Sequence, residues 1–230
     1  MRDETCQLHR RGTRPLRSRD CHRAGRLSAR LQAPDLKTAV GLGPHELESF
    51  AGTPCDWAFG DVAWRPDASA SLDHEGEIAL IIGRPCRGVT AEEAARYVAG
   101  YACYNDGGVR DFRMHSNQVT AGKNFVTSGP WIVTAGEVPE PSRLTLQTRV
   151  NGEVRQRLDM SDLIFGFGEL VAYISQIYAL WPGDTIATGP PAGIGALTQN
   201  WLRAGDRVET EIPAVGTRGN PVVAGGRDAE

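Results

Sequence analysis

Asp73, Glu75 and Glu77 are spaced by two, which on a β-strand would align three carboxylates on one face. Like charges so aligned repel one another, and a cation bound between them turns that cost into affinity. An all-oxygen donor set suits a hard ion, Mg²⁺ or Mn²⁺, with Ca²⁺ as a further option. Read alone, the same residues also fit the solvated edge of an amphipathic strand. Two features of the surroundings favour the metal. The acids run directly into the apolar stretch Ile78–Ile82, which draws Glu77 toward a core. A further acid, Asp106, stands in Tyr104-Asn105-Asp106-Gly107-Gly108, where glycines would let the backbone turn sharply after a strand. Three carboxylates also leave positions open for water and substrate oxygens, as metal catalysis requires.

Lysine is the next signal. The chain has 23 arginines but two lysines, Lys37 and Lys123. Lys123, inside Gly122-Lys123-Asn124-Phe125, is either an ordinary surface charge or a point charge for an enolate or carboxylate oxygen beside the metal. Arg110 and Asp111 read as a structural ion pair behind the acids. The loop Thr188-Gly189-Pro190-Pro191-Ala192-Gly193-Ile194-Gly195 follows a predicted strand. Its backbone N–H groups could hold an anion, or it is a plain turn. It is not a P-loop, because the Gly-Lys-Ser/Thr ending is missing, and no clear helix follows as a dinucleotide fingerprint would need.

The elements that must position these residues read as follows. Glu77–Ile82, closed by Gly83, is a buried strand. Thr90-Ala91-Glu92-Glu93 has the form of a capping box and predicts a helix that carries Ala94, Ala95, Val98 and Ala99 and stops at Gly100. Tyr101–Tyr104 is a further strand. Leu144–Val150 alternates into Asn151-Gly152, a hairpin signal, with 153–156 returning. A helix is expected over roughly 168–180, with Leu170, Val171, Ile174, Ile177 and Tyr178 on its apolar face. Pro182-Gly183 is a turn, 184–188 a strand, and 207–212 and 221–223 close the chain. Strands dominate, so the fold class is α+β, a mainly-β mixed roll with a few flanking helices.

The chain has 230 residues, with 40% hydrophobic and 23% charged residues, as in an ordinary globular protein. No apolar run approaches the ~18 residues of a membrane span, and no apolar region follows the basic N-terminus as in a signal peptide. A cytoplasmic location is expected, without membrane. The net charge of −3 hides an asymmetry: residues 1–30 carry nine arginines against Asp3, Glu4 and Asp20. That segment lacks aromatic residues and any motif, so nucleic acid is not an expected partner. It also lacks a hydrophobic period, and is read as loosely ordered or as the product of a misplaced start. The five cysteines (Cys6, Cys21, Cys55, Cys86 and Cys103) form no C-x-x-C pair and read as idle thiols. The chain divides into an arginine-rich, poorly ordered or non-matching segment at 1–60, a catalytic domain at 61–225 and a tail at 226–230.

Taken together, these segments resemble the fumarylacetoacetate hydrolase family. The resemblance rests on Asp73–Gly83, Val98–Tyr101, Asn105-Asp106, Arg110-Asp111, Gly122–Phe125 and Gly129–Trp131. It continues through Val150–Glu153, the helix from Glu169, Pro182–Asp184, Thr188-Gly189, Pro191–Gly193, Gly205-Asp206 and Gly219–Val222, co-linear over about 65–223. It implies a β-roll, a homodimer and a Mg²⁺ or Mn²⁺ site. Glu75, Glu77 and Asp106 fall on the metal-ligand positions, Lys123 on the active-site lysine, and Asp73 is left as a neighbour. Thr188, Gly189, Pro190 and Arg113 fall on substrate-binding positions. The implied chemistry is hydrolysis, isomerisation or decarboxylation of a 2,4-dioxo acid or 2-hydroxy-dienoate in aromatic-compound catabolism. Three departures stand out. No counterpart of the family's N-terminal His–Glu lid is evident, His45-Glu46 being in a different setting. Arg113 replaces a common glutamine. Pro190 replaces a threonine whose hydroxyl would hold a substrate carboxylate. A metal-binding homologue without catalysis is therefore the alternative.

Overall fold

The computed structural model describes residues 62–64, 69–112 and 122–224, with the side chains of 62–64, 123–126 and 130 outside the description. Expectations for 1–60, for His45-Glu46, for Arg113 and for the tail at 226–230 lie outside the described residues, as does the side chain of Lys123.

The chain forms ten strands and two α-helices among the described residues. In order these are β1 (Val62–Trp64), β2 (Leu72–Asp73), β3 (Gly76–Ile82), β4 (Val98–Val109), β5 (Lys123–Thr134), β6 (Thr145–Val150), β7 (Glu153–Asp159), α1 (Phe167–Ile177), β8 (Thr185–Ala187), α2 (Gly195–Thr198), β9 (Arg207–Ile212) and β10 (Gly216–Ala224). One sheet runs β1-β10-β9-β6-β7. The other runs β2-β4-β3-β8, with β5 on the far edge of β4. This is the mainly-β roll that the pattern of short strands predicts.

β3 is the centre of the molecule, buried at all seven positions. Its alternation divides the core. Ile78, Leu80 and Ile82 join Leu146, Val171 and Ile212 on one side. Ala79 and Ile81 join Ala102 on the other, where Tyr104 packs. Glu77 precedes Ala79 by two and shares that second face. The β6–β7 hairpin turns at Asn151 and Gly152, both with positive φ (53° and 82°), as a primed two-residue turn demands. α1 seats Val171 and Ser175 in the core. Its first turn is held by Glu169, which accepts from the N–H of Gly166 at 2.7 Å.

Several expectations are corrected. The helix predicted over 94–99 is a single 3₁₀ turn, Ala94–Tyr97, and Val98 and Ala99 belong to β4. Glu93 does accept from the Thr90 N–H at 3.1 Å, but the pairing of β4 with β3 (Ile82 opposite Val98) overrides that cap. Asp106 does not follow a strand end. It lies inside β4, which runs through Gly107 and Gly108 to Val109, with an irregularity between the two glycines. Asp73, Glu75 and Glu77 do not share one strand face, because the strand breaks between Asp73 and Gly76. The glycine loop is followed by a helix of one turn, α2. The whole of β5 was not expected from the sequence pattern.

Candidate metal centre

The break between β2 and β3 separates the acids by task. Asp73 is fully buried. Its Oδ1 accepts from the backbone N–H of His74 at 2.8 Å and of Gly195 at 2.6 Å. Its Oδ2 accepts from the Ala196 N–H at 2.9 Å and from Arg110 Nε at 2.8 Å. A carboxylate with four donors is a structural knot that ties β2 to α2. Gly195 makes the approach possible, since a Cβ there would lie 2.6 Å from Asp73 Oδ1.

Arg110 passes this anchorage on. Its second nitrogen, Nη2, lies 2.6 Å from Glu75 Oε1. Burial opposes its charge, but the hydrogen bond to Glu75 and the field of Asp73 raise its pKa above the ordinary arginine value. The expected Arg110–Asp111 pair is thus replaced: Arg110 binds Asp73 and Glu75, while Asp111 accepts from Ser69 at 2.8 Å.

Glu75, Glu77 and Asp106 converge, with one oxygen of each within 4.8 Å of the other two. Backbone pairing sets this up. Asp106 N–H donates to the Glu75 carbonyl at 2.8 Å, and Glu77 lies opposite Tyr104 in the β3–β4 register. Glu77 Oε2 accepts from the Gly189 N–H at 2.8 Å. The anion met by the glycine loop is therefore Glu77 itself. Thr188 turns its hydroxyl to the Ile78 carbonyl at 3.1 Å. Pro190 lies next in the loop, partly buried. Lys123 opens β5, its backbone paired with Gly108, two residues beyond Asp106.

The donor set fits one hard cation. An ion about 2.0–2.6 Å from each oxygen separates opposite ligands by about 4–5 Å, which matches the spacing. Glu75 and Glu77 are buried, at 6% and 2% exposure, so their mutual repulsion is little screened by water.

Two neighbours escaped sequence reasoning. Tyr104 sits among the acids, and burial, then the charges of Asp106 and Glu77, push its phenol up to about 12. Its register with Glu77 would have revealed it, but that needs the strand pairing. His74 is buried beside Asp73, and desolvation lowers its pKa in spite of that carboxylate. Cys86 and Cys103 are buried free thiols, and burial pushes Cys103 up to about 12. Neither is a reactive thiolate.

Known proteins bear on this geometry. The sequence profile of the fumarylacetoacetate (FAA) hydrolase C-terminal family matches residues 44–223. The chain belongs to the fumarylacetoacetate hydrolase family. An uncharacterised protein of Archaeoglobus fulgidus is 42% identical over 158 residues, covering 69% of this chain and 61% of that one. Oxaloacetate tautomerase YisK of Bacillus subtilis is 38% identical over 161 residues, covering 68% and 54%. Among solved structures, maleylpyruvate hydrolase from Sphingobium sp. SYK-6, in complex with manganese(II) and pyruvate, is similar with a TM-score of 0.64. It is 35% identical, with 72% of this chain and 60% of that one covered. Divalent metal binding thus occurs within the fumarylacetoacetate hydrolase family. The chain spans between 54% and 66% of the length of these and similar curated relatives. The profile match begins ahead of residue 65, where the co-linear motifs start.

Proposed function

We propose that this chain is a metal-dependent enzyme of small oxo-acids. It would hydrolyse, isomerise or decarboxylate a 2,4-dioxo acid or 2-hydroxy-dienoate by way of an enolate, in the catabolism of aromatic compounds. The observation that carries the reading is the convergence of Glu75, Glu77 and Asp106 within 4.8 Å. Bound Mg²⁺ or Mn²⁺ would supply Lewis-acid stabilisation of negative charge on the 2-oxo oxygen.

The chain's own residues have these parts. Glu75 and Glu77 hold the ion in fixed orientations, one set by Arg110 and the other by the Gly189 N–H. Asp106 closes the ligand set. Lys123 adds positive charge at the developing oxyanion. The Tyr104 phenol, protonated at neutral pH, supplies a hydrogen-bond donor beside the carboxylates. Thr188, Gly189 and Pro190 border the substrate, and Arg113 supplies a cation for its carboxylate. The protein works as a homodimer in the cytoplasm.

The test is Mg²⁺- or Mn²⁺-dependent loss of ultraviolet absorbance from acylpyruvates, 2-hydroxy-dienoates and oxaloacetate. Turnover of one of them, abolished by Glu77→Gln, is expected. Metal binding without turnover of any would favour the second reading, a homologue that binds metal and oxo-acid only. Pro190 supports that reading, because it offers no hydroxyl or N–H to a substrate carboxylate.

A further inference from the structure

Gln156 lies on β7, outside the acid cluster, yet its side chain joins two parts of the centre. It is 1% exposed. Its Oε1 accepts from the N–H of Gly76 at 2.9 Å, and its Nε2 donates to the carbonyl of Pro191 at 3.2 Å. Gly76 is the residue between Glu75 and Glu77. Pro191 belongs to the loop whose Gly189 N–H holds Glu77 Oε2 at 2.8 Å. The contacts close a ring: Gly76, Gln156, Pro191, Gly189, Glu77 and back to Gly76.

A third contact presses the same loop onto β7. Gly193 has φ +106°, and a Cβ there would lie 1.8 Å from the Arg155 carbonyl oxygen and 3.3 Å from Gln156 Cγ. Loop and strand therefore meet backbone to backbone, with the Gln156 amide beside the contact. The chemistry asks for an amide. One end must accept and the other donate, and neither end is charged at a position that is 1% exposed. Glutamate would keep the acceptor, lose the donor and add a buried negative charge. Methionine would fill the volume and make neither bond.

We infer that Gln156 is a positioning residue that locks the Glu75–Glu77 segment to the 188–193 loop, so that the metal ligands and the oxo-acid border are set together. The inference rests on the metal-centre reading proposed above. Binding of an oxo-acid against the loop is then felt at Glu77 through two hydrogen-bonded routes, one by Gly189 and one by Gln156.

The experiment uses the full chain with three substitutions: Gln156→Met, Gln156→Glu and Gly152→Ala. The last weakens the same β6–β7 ribbon at its tip, where a Cβ meets nothing within 4 Å. Mn²⁺ affinity is read from the paramagnetic resonance signal of free Mn²⁺, with and without oxalate. Loop order is read from backbone hydrogen exchange in peptides covering 188–194. Gln156→Met is expected to lose roughly 10–100-fold in Mn²⁺ affinity, as loss of a group that orients ligands commonly does, and to exchange faster in the loop. Gln156→Glu, which keeps the Gly76 contact, is expected to speed loop exchange and weaken oxalate more than Mn²⁺. Gly152→Ala should lower stability and change neither readout. A folded Gln156→Met with unaltered Mn²⁺ affinity and loop exchange overturns the inference, as does an equal loss in Gly152→Ala. If Gln156→Met does not fold, slow loop exchange in Gln156→Glu overturns it alone. Wild-type protein that binds no Mn²⁺ sinks the metal reading instead, while the exchange comparison still decides whether Gln156 holds the loop.

Discussion

Asp73 carries the plainest consequence at the scale of a residue. Its carboxylate accepts from His74, Gly195, Ala196 and Arg110, all within 2.9 Å, in a site that water does not reach. Asp73→Asn exchanges an acceptor for a donor against these groups and leaves Arg110 with half its neutralisation. Removing one partner of a buried pair costs about 3–5 kcal/mol, so the urea midpoint should fall by a corresponding amount. A midpoint equal to wild type would show that the knot bears no weight. Titration gives a second consequence. Burial pushes Tyr101, Cys103 and Tyr104 up to about 12, from ordinary values of 10.0, 9.0 and 10.0. Above those ordinary values the unfolded chain releases protons that the folded chain retains, so stability falls as pH rises. Denaturant midpoints should decline between pH 9.0 and about 12, and Tyr104→Phe should flatten part of the slope. A flat profile would mean that these groups are solvated.

At the scale of the element, the glycines separate contact from conformation. Gly152 and Gly193 both have positive φ, at 82° and 106°, but only Gly193 faces another backbone. Gly152→Ala should therefore cost about 1–2 kcal/mol for left-handed backbone alone. Gly193→Ala should cost clearly more, and should displace the 188–193 loop. Equal urea midpoints for the two variants would contradict the approach of the loop to Arg155. The elements also show how much was legible in advance. β3 announced itself as an unbroken apolar run, the β6–β7 hairpin by Asn151-Gly152, and α1 by its period, although the helix ends at Ile177 rather than near 180, and Ile177 and Tyr178, expected on its apolar face, are exposed. What failed was non-local. β5 contains Gly129-Pro130, and a proline ordinarily argues against a strand. It forms because β4 offers an edge over nearly its full length, with irregular register near Cys103. The 94–99 segment has a helix cap but spends Val98 and Ala99 on pairing with β3. Asp73, Glu75 and Glu77 look equivalent by spacing. Which of them faces Asp106 depends on where the strand breaks, and which donor orients each depends on Arg110, Gly189 and Gly195, brought in from distant parts of the chain.

For the whole molecule, the open question is what covers the flank around α1. Tyr173 and Ile177 are one helical turn apart and so share a face, and they are 70% and 55% exposed. Ile164 and Phe165 precede the helix at 90% and 61%, while Tyr178 and Trp181 follow it at 65% and 56%. Six large apolar side chains along one short stretch of chain are more than a soluble monomer ordinarily leaves in water. None belongs to the acid cluster, so association can be separated from metal binding. If a second copy of the chain covers this flank, sedimentation equilibrium should give twice the 24.9 kDa chain mass. Tyr173→Lys combined with Ile177→Glu should then return the single-chain mass, since charged groups are disfavoured at the core of such a contact. Mn²⁺ affinity should stay within about threefold of wild type, because the acids and the groups that orient them lie on β3, β4 and the loops beside them. A wild-type monomer at high concentration, or a dimer indifferent to both charges, would rule this flank out as the contact. Loss of Mn²⁺ affinity on dissociation would instead mean that the partner subunit helps to hold the centre.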